Sequence, residues 1–326
     1  MLLICNLIFN QMKIISTNTY EIRFKDDGYR HLIEQIKRKS YTKIFVLVDE
    51  NTKQYCLNPF KKKFSVNFEI LEIESGEINK NINTCLGIWN DLTHNRADRN
   101  CLIINLGGGV ITDMGGFIAS TYKRGVDFVN IPTTLLSMVD ASIGSKTGIN
   151  LNSIKNQIGL FSDPSMVVID TSYLKTLSKR EINSGYSEIF KHSVISSHMY
   201  KELIENPGLI YNENIIANSI ELKNKIVNED KFEIGIRKYL NFGHTLGHAV
   251  ESFCLNKENK LLHGEAIAIG MICESFISSK ILGFNTERLN EIKKHLLKLF
   301  SKINFSENDV YEINNLIKFD KKNHLN

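Results

Sequence analysis

Hydrophobic and polar positions along the first half of the chain predict short buried strands that are separated by helices. Apolar runs rich in β-branched residues, each of a length typical of a buried strand, occupy residues 43–48, 68–73, 101–106, 127–131 and 166–169. Strands that alternate with helices indicate βαβ units. The first half is therefore predicted to be an α/β domain with a parallel, Rossmann-like sheet.

The second half shows a different pattern. From about Tyr173 the strand signals fade, and apolar residues recur at helical spacing in 188–205, 214–231, 265–282 and 286–300. We expect an all-α C-terminal domain at 173–326 and an α/β domain at 12–172. The apolar start is too short to span a bilayer and lacks the features of a secretory signal, so residues 1–11 are treated as an unassigned extension.

Composition narrows the class of partner. The chain has 326 residues with 40 Lys and Arg against 36 Asp and Glu, a formal net charge of +4. This balance points away from nucleic acid and anionic membranes and toward a small-molecule partner. The six cysteines contain no Cys-x-x-Cys pair, which argues against a disulfide framework and a thiolate zinc cluster. We expect a soluble protein of the reducing cytoplasm.

A glycine-rich turn is the first candidate for chemistry. The apolar run 101–106 leads into Gly107, Gly108 and Gly109, and a helix is predicted to begin near Thr112 or Asp113. Glycines at a strand-to-helix turn let backbone N–H groups approach a phosphate. The spacing matches neither a dinucleotide fingerprint nor a P-loop, so a purely structural turn is about as credible from this segment alone.

Further polar residues follow predicted strands. Asp49 and Asn51 come after the first, where a dinucleotide-binding sheet would hold a ribose, although an acid here is more often a helix cap. Glu77 and Lys80 follow the next, where a solvated loop is the simpler interpretation. The segment 121–148 surrounds three charged residues, Arg124, Asp140 and Lys146, with small and hydroxyl side chains. Such a density of polar groups favours anion binding.

Histidines in the second half suggest a metal site. His244 and His248 are four residues apart, so on a helix both project from one face. An isolated pair of this kind is more often structural. Here His263 opens another helical stretch and Glu188 lies on a third, which allows a mixed imidazole and carboxylate site between helices.

Taken together, these segments resemble the 3-dehydroquinate synthase family over about residues 12–322. The resemblance lies in the order of seven motifs: Gly-Glu-x-x-Lys (76–80), Gly-Gly-Gly-Val-x-x-Asp (107–113), Tyr-x-Arg-Gly (122–125), Pro-Thr-Thr-Leu-Leu (132–136), Val-Asp-Ala-Ser-x-Gly-x-Lys-Thr-Gly (139–148), Leu-Asn-x-Gly-His-Thr-x-Gly-His (240–248) and His-Gly-Glu-Ala (263–266). It implies a lyase of the shikimate pathway, which leads to chorismate and the aromatic amino acids. Such an enzyme converts 3-deoxy-D-arabino-heptulosonate 7-phosphate to 3-dehydroquinate and phosphate.

The resemblance also implies cofactors and their contacts. The N-terminal domain would bind NAD through Asp49, Asn51, Glu77, Lys80, Gly108, Gly109, Asp113, Thr133, Thr134, Lys155 and Thr176. Glu188, His244 and His263 would hold a divalent metal, usually Zn²⁺, with Co²⁺ as an alternative. In such enzymes NAD is reduced and regenerated within one turnover, through oxidation, phosphate elimination, reduction and an intramolecular aldol closure.

Substrate and proton-transfer residues are likewise implied by the resemblance. The substrate contacts would be Arg124, Asp140, Lys146, Asn156, Lys191, Lys223, Arg237, Asn241 and one of Lys321 and Lys322. His248 and Glu233 match the proposed acid/base positions, and their individual steps stay open. The family is usually homodimeric, with Arg124 reaching the neighbouring subunit's site.

Some residues depart from the family pattern, and other functions stay open. Ser145 and Thr112 replace frequent glycines, and the chain stops soon after Lys322, which would leave the last substrate lysine near the terminus. Alternatives are another sugar-phosphate cyclase, an NAD-dependent polyol or glycerol-phosphate dehydrogenase, and a catalytically silent relative. Four residues fit the dehydroquinate pattern and favour the synthase: Lys223, Asp230, Arg237 and Asn241.

Overall fold

The computed structural model describes residues 14–152, 154–197, 199–255, 257 and 260–317, and the chain divides into two compact units, Met1–Thr176 and Leu177–Asn326. Residues 1–11, Lys321 and Lys322 lie outside the described residues. Within the described part of the chain, no helix is both long and apolar enough to cross a membrane.

The first unit contains nine strands and five α-helices among its described residues. In chain order they are β1 (Ile14–Ser16), β2 (Glu21–Phe24), α1 (Lys25–Lys39), β3 (Ile44–Asp49), α2 (Glu50–Tyr55), α3 (Leu57–Lys63), β4 (Glu69–Ile73), α4 (Ile82–His94), β5 (Leu102–Gly107), α5 (Gly109–Thr121), β6 (Asp127–Pro132), β7 (Lys146–Leu151), β8 (Ile154–Phe161) and β9 (Met166–Ile169). Short 3₁₀ turns occupy Glu77–Asn79, Tyr122–Arg124 and Thr171–Thr176.

Seven of these strands form one mostly parallel sheet in the order β1-β2-β9-β6-β5-β3-β4. All neighbouring pairs are parallel except β1 and β2, which pair antiparallel. The five strands predicted from apolar runs are all present, which confirms the α/β prediction. The side chains of β3, β5, β6 and β9 are buried almost throughout because helices cover both faces of a parallel sheet. The edge strand β4 differs, since its buried residues alternate with more exposed ones.

Two parts of the first unit differ from the sequence prediction. The helix after the glycine turn begins at Gly109 rather than near Thr112 or Asp113, because glycine can enter the helix directly behind the Gly108 N-cap. The antiparallel hairpin β7–β8 was not predicted. Most of β8 is exposed and mixes polar with apolar residues, so it lacks a clear strand pattern.

The described residues of the second unit are helical and contain no strand. The α-helices are α6 (Lys179–Ser196), α7 (Tyr200–Glu205), α8 (Glu213–Glu229), α9 (His244–Cys254), α10 (His263–Ile281), α11 (Thr286–Leu299) and α12 (Glu307–Ile317), with 3₁₀ turns at Pro207–Tyr211 and Ile236–Asn241. The predicted all-α class is confirmed. The single helix predicted for 188–205 is wrong: α6 starts nine residues earlier, where Ser178 caps it, and ends at the left-handed Ser197.

A buried histidine connects the stability of the second unit to pH. His295 stacks on Phe190 with ring centroids 4.4 Å apart, and its Nε2 lies 3.0 Å from the Tyr186 hydroxyl. Burial, with a smaller contribution from Lys298, lowers the pKa of His295 to about 4. The folded chain therefore keeps this ring neutral at pH values where the unfolded chain protonates it.

We expect the unfolding free energy to fall as pH drops from the unfolded pKa of about 6.5 toward 4, by on the order of 2 kcal/mol from this group. The contribution is fully present above about pH 6.5. Urea unfolding followed by circular dichroism at about pH 7.5 and about pH 4.5 measures it. His295→Gln should reduce the difference, whereas the exposed His94→Gln should not; equal pH dependence in wild type and His295→Gln would show that the attribution is wrong.

Candidate metal and nucleotide sites

The carboxyl ends of β3, β5 and β6 bring several predicted nucleotide contacts to one edge of the sheet. Asp49 ends β3, Gly108 follows β5, and Thr133 follows β6 with its backbone N–H donating to Gly107 at 3.0 Å. This edge is the usual ligand-binding edge of an open parallel sheet. Asp49 also caps α2, since Oδ1 accepts from the Thr52 backbone N–H at 2.7 Å.

Two glycines of the turn, Gly107 and Gly108, leave little room for a side chain. A Cβ on Gly107 would lie 2.5 Å from Ile111, and one on Gly108 would lie 3.0 Å from Thr134. Gly108 precedes the first turn of α5, whose N–H groups have no partner within the helix. The turn therefore presents backbone donors and a positive helix end, an arrangement suited to a phosphate.

A buried lysine organises the neighbouring polar residues. Lys80 is buried, and its ammonium contacts Asp113 at 2.6 Å and the side-chain oxygen of Asn156. Burial raises the pKa of Asp113, and Lys80 opposes that rise. Two predicted cofactor contacts and one predicted substrate contact thus lie in one cluster.

Asn150 joins this cluster and was not singled out in the sequence. Its side-chain amide donates to Glu77 Oε1 at 2.9 Å, and its Oδ1 accepts from the Asn156 backbone N–H at 2.8 Å. Its own backbone N–H donates to the Lys80 carbonyl at 2.9 Å. Asn150 therefore ties the 3₁₀ turn at Glu77–Asn79 to the β7–β8 hairpin. A lone asparagine in an unpredicted hairpin carries no local signal for such a role.

The remaining predicted residues of the first unit are more dispersed. The exposed positions are Asn51 on α2, Arg124 after α5, Lys146 at the start of β7 and Thr176 in the last 3₁₀ turn. Lys155 on β8 lies 3.7 Å from Glu77, and Asp140 lies in a π-helical turn, Ser137–Ala141. The backbone of Arg124 is left-handed, with φ at 70°.

The second unit brings three histidines and one carboxylate together. His244 begins α9, His263 begins α10, and the ligand atoms of His244, His248 and His263 lie within 4.8 Å of one another. Glu188 Oε1, from α6, lies 3.7 Å from Nε2 of both His244 and His263. Ligand atoms bound tetrahedrally to zinc are about 3.4 Å apart, so Glu188, His244 and His263 fit such a metal with only small adjustments.

Hydrogen bonds on the other ring nitrogens direct these histidines. His244 Nδ1 lies 3.2 Å from the Phe242 carbonyl, and His263 Nδ1 lies 3.2 Å from Glu251 Oε2. In both rings Nε2 then points toward Glu188. Metal-binding histidines commonly use one nitrogen for the metal and the other for such a partner.

The electrostatic surroundings of the two rings differ. Burial and the nearby ammonium of Lys191 hold the pKa of His244 well below its ordinary value. Burial also acts to lower the pKa of His263, but the carboxylates of Glu251 and Glu188 outweigh it and raise the pKa to about 9. The donors, imidazole and carboxylate, suit Zn²⁺ or a related transition metal better than Mg²⁺ or Ca²⁺.

Two glycines on α10 allow the helices that carry these ligands to approach closely. A Cβ on Gly264 would lie 2.0 Å from the Ser184 carbonyl oxygen of α6, and one on Gly270 would lie 1.9 Å from the Gly243 carbonyl oxygen beside α9. Glu274 of α10 adds a contact, since it accepts from the backbone N–H of Gly243 at 2.7 Å. None of these three residues carries a local sequence signal, because each acts only through a neighbouring helix.

Buried cations lie on elements that pack together near this cluster. Lys191 on α6, Lys223 on α8 and Arg237 in the turn Ile236–Asn241 are all buried, and Lys191 forms an ion pair with Glu188. Buried positive charge of this density suits an anionic ligand.

The loop before Arg237 is organised by Asp230. This carboxylate accepts from the backbone N–H groups of Gly235 at 2.7 Å and Arg237 at 3.1 Å. Within the same segment, Asn241 donates to Glu233 Oε1 at 2.6 Å. The structure therefore places the predicted substrate residues Arg237 and Asn241 and the predicted proton carrier Glu233 in one short segment.

Comparison with known proteins identifies the family. The chain matches the 3-dehydroquinate synthase N-terminal family model over residues 70–184 and the C-terminal family model over residues 185–323. The chain belongs to the 3-dehydroquinate synthase family. A 3-dehydroquinate synthase from Parabacteroides distasonis is 42% identical over 294 residues, which cover 87% of this chain and 82% of that protein. One from Campylobacter jejuni is 38% identical over 315 residues, with 93% and 89% covered.

Several solved structures of other enzymes share the fold. A 2-deoxy-scyllo-inosose synthase in complex with carbaglucose-6-phosphate, NAD⁺ and Co²⁺ superposes with a TM-score of 0.83 at 24% identity, covering 95% of this chain and 89% of that one. A 2-epi-5-epi-valiolone synthase from Streptomyces hygroscopicus with NAD⁺ and Zn²⁺ gives 0.78 at 23% identity, with 94% and 89% covered. A glycerol dehydrogenase from Schizosaccharomyces pombe gives 0.64 at 17%, with 94% and 84% covered.

Proposed function

We propose that this chain is a 3-dehydroquinate synthase, which converts 3-deoxy-D-arabino-heptulosonate 7-phosphate to 3-dehydroquinate and inorganic phosphate with NAD and a divalent metal. The observation that carries the proposal is the Glu188, His244 and His263 cluster, which retains metal-binding geometry in a chain 42% identical to a named synthase. The activity belongs to the shikimate pathway of aromatic amino-acid biosynthesis.

Glu188, His244 and His263 are the proposed ligands of Zn²⁺ or Co²⁺. Three protein ligands leave positions for a substrate oxygen, as catalytic zinc sites do. When bound, the metal supplies a Lewis acid and NAD a hydride acceptor and donor. The cyclases of the same fold that hold NAD⁺ with Co²⁺ or Zn²⁺ support this choice of cofactors.

The proposed NAD site is the carboxyl edge of the sheet together with the Lys80 cluster. The backbone donors at Gly108 and Gly109 would bind a phosphate of the cofactor, and Thr133 and Thr134 follow the neighbouring strand β6. The other proposed contacts are Asp49, Asn51, Glu77, Lys80, Asp113, Lys155 and Thr176.

The proposed substrate residues supply the charge that an acid sugar phosphate requires. Buried Lys191, Lys223 and Arg237 act as fixed cations, and a guanidinium can bind a carboxylate or phosphate with two hydrogen bonds. Arg124, Asp140, Lys146, Asn156, Asn241 and one of Lys321 and Lys322 complete the proposed set.

Proton transfer is proposed for His248 and Glu233. His248 lies one helical turn from His244, with ring centroids 5.1 Å apart, so it is close to the ligand cluster without being needed as a ligand. Glu233 is held by Asn241, whose side-chain amide donates to Oε1 at 2.6 Å, and a carboxylate held in this way is a group that can carry a proton. We further propose a cytoplasmic homodimer, in which the exposed Arg124 reaches the partner's site.

The assay that tests the function measures phosphate and NADH together. Purified chain with NAD and Zn²⁺ or Co²⁺ should release inorganic phosphate from the heptulosonate phosphate without net accumulation of NADH, because the cofactor is regenerated in each turnover. NADH accumulation with a polyol would favour a dehydrogenase, and turnover of glucose 6-phosphate would favour another cyclase. Absence of phosphate release with every metal would reject the synthase.

A further inference from the structure

Glu251 is a buried carboxylate in contact with a proposed metal ligand, and the family resemblance gave it no role. It lies on α9, seven residues after His244 and three after His248, so the three side chains follow one face of the helix. Its Oε2 lies 3.2 Å from His263 Nδ1, which belongs to α10, and its side chain is 6% exposed.

The chemistry of this contact determines which nitrogen of His263 is available. An ionised carboxylate only accepts hydrogen bonds, so His263 Nδ1 must carry a proton in this contact. With Nδ1 protonated, the lone pair of the neutral ring is on Nε2, the atom that lies 3.7 Å from Glu188. The same contact restricts rotation of the ring, because turning it would break the hydrogen bond.

We infer that Glu251 is a positioning residue whose contact with Nδ1 holds the His263 ring with Nε2 directed at the metal position, an inference that rests on the proposed metal site. His244 is oriented differently, by the neutral Phe242 carbonyl. A carboxylate makes the bound imidazole more basic than a carbonyl does, so Glu251 strengthens the His263 ligand as well as orienting it.

The burial of Glu251 supports a role beyond packing. A carboxylate at this depth is costly unless a charged or hydrogen-bonding group compensates it. Ala249, Val250 and Cys254 of the same helix belong to an apolar cluster with Ala266 of α10. The contact with His263 Nδ1 supplies a compensating group of this kind.

The test measures metal affinity of the full chain after removal of metal with a chelator. Wild type, Glu251→Gln and Glu251→Ala are titrated with Zn²⁺ against a chromogenic chelator, and with Co²⁺ while the visible absorption spectrum is recorded. Loss of a carboxylate partner of this kind weakens metal binding by about 10–100-fold. We expect that loss in Glu251→Ala, with a changed Co²⁺ spectrum at saturation, and a smaller loss in Glu251→Gln, whose amide oxygen still accepts from Nδ1.

Controls separate this role from a structural one. Glu287→Gln removes an exposed carboxylate at the start of α11 and should bind Zn²⁺ as the wild type does. If Glu251 had only a structural role, its variants would have a lower thermal midpoint without metal, but the same Zn²⁺ affinity and Co²⁺ spectrum as the wild type. That result would overturn the inference. Glu251→Gln decides the matter if Glu251→Ala does not fold.

Failure of the inference is distinguishable from failure of the proposed function. Weakened Zn²⁺ binding in the Glu251 variants of a chain that releases no phosphate would support the positioning role and reject the synthase. A wild type that binds no Zn²⁺ or Co²⁺ would overturn the metal site and the role of Glu251 with it.

Discussion

His263→Ala is expected to abolish metal retention and to lower phosphate release by about a thousand-fold. The substitution removes one of three proposed ligands and leaves Glu188 and His244, and two protein ligands make a poor zinc site. A bound metal provides several kcal/mol of transition-state stabilisation, and each 1.4 kcal/mol or so corresponds to a tenfold change in rate. Metal content after desalting and the initial rate of phosphate release measure the two effects.

Two other histidine variants serve as controls for this prediction. His94→Ala, at the exposed end of α4, should keep both metal and activity. His248→Ala should keep the metal but lose activity, because His248 is proposed as a proton carrier rather than a ligand. Metal stoichiometry that is unchanged in His263→Ala, or lost in His248→Ala, would contradict the proposed ligand set.

Gly264→Ala should have the second largest effect, although the added group is one methyl. Its Cβ would lie 2.0 Å from the Ser184 carbonyl oxygen and 2.5 Å from Ser187 Oγ, so α10 must move away from α6. The hydrogen bond from the Gly264 N–H to Ser184 Oγ, now 3.0 Å, would be strained as well. Overpacking of this kind costs about 1–3 kcal/mol. His263, the preceding residue, would move with the helix.

The expected result for Gly264→Ala is a lower unfolding free energy together with a Zn²⁺ affinity and phosphate-release rate reduced by about 100-fold, since a displacement near 1 Å can have that effect. Urea unfolding and the chelator competition measure both. Gly87→Ala is the control, because nothing lies within 4 Å of its Cβ in α4 and alanine there should stabilise the helix by about 0.5–1 kcal/mol. Wild-type stability and affinity in Gly264→Ala would show that the helices tolerate the separation.

Local sequence patterns predicted most strands of the first unit, and they also explain where the prediction was wrong. The runs that became β3, β5, β6 and β9 are buried almost throughout because helices cover both faces of the sheet, whereas the edge strand β4 alternates buried with exposed residues. The β7–β8 hairpin was not predicted because buried and exposed residues do not alternate regularly along either strand. The start of α5 was placed too late because glycine is a poor helix former by propensity and yet begins this helix.

The sequence by itself determined the α/β and all-α classes, the shared helical face of His244 and His248, and the ordered motifs that identify the family. These features depend on neighbours within one strand or one helix, where periodicity reports burial directly. Only the tertiary structure decided that Glu188 meets both His244 and His263, that Glu251 contacts His263, that Asn150 joins Glu77 to Asn156, and that Gly264 must be glycine. Those contacts join segments that are far apart in the chain, and their geometry depends on how closely separate elements pack, a property that no local pattern of residues contains.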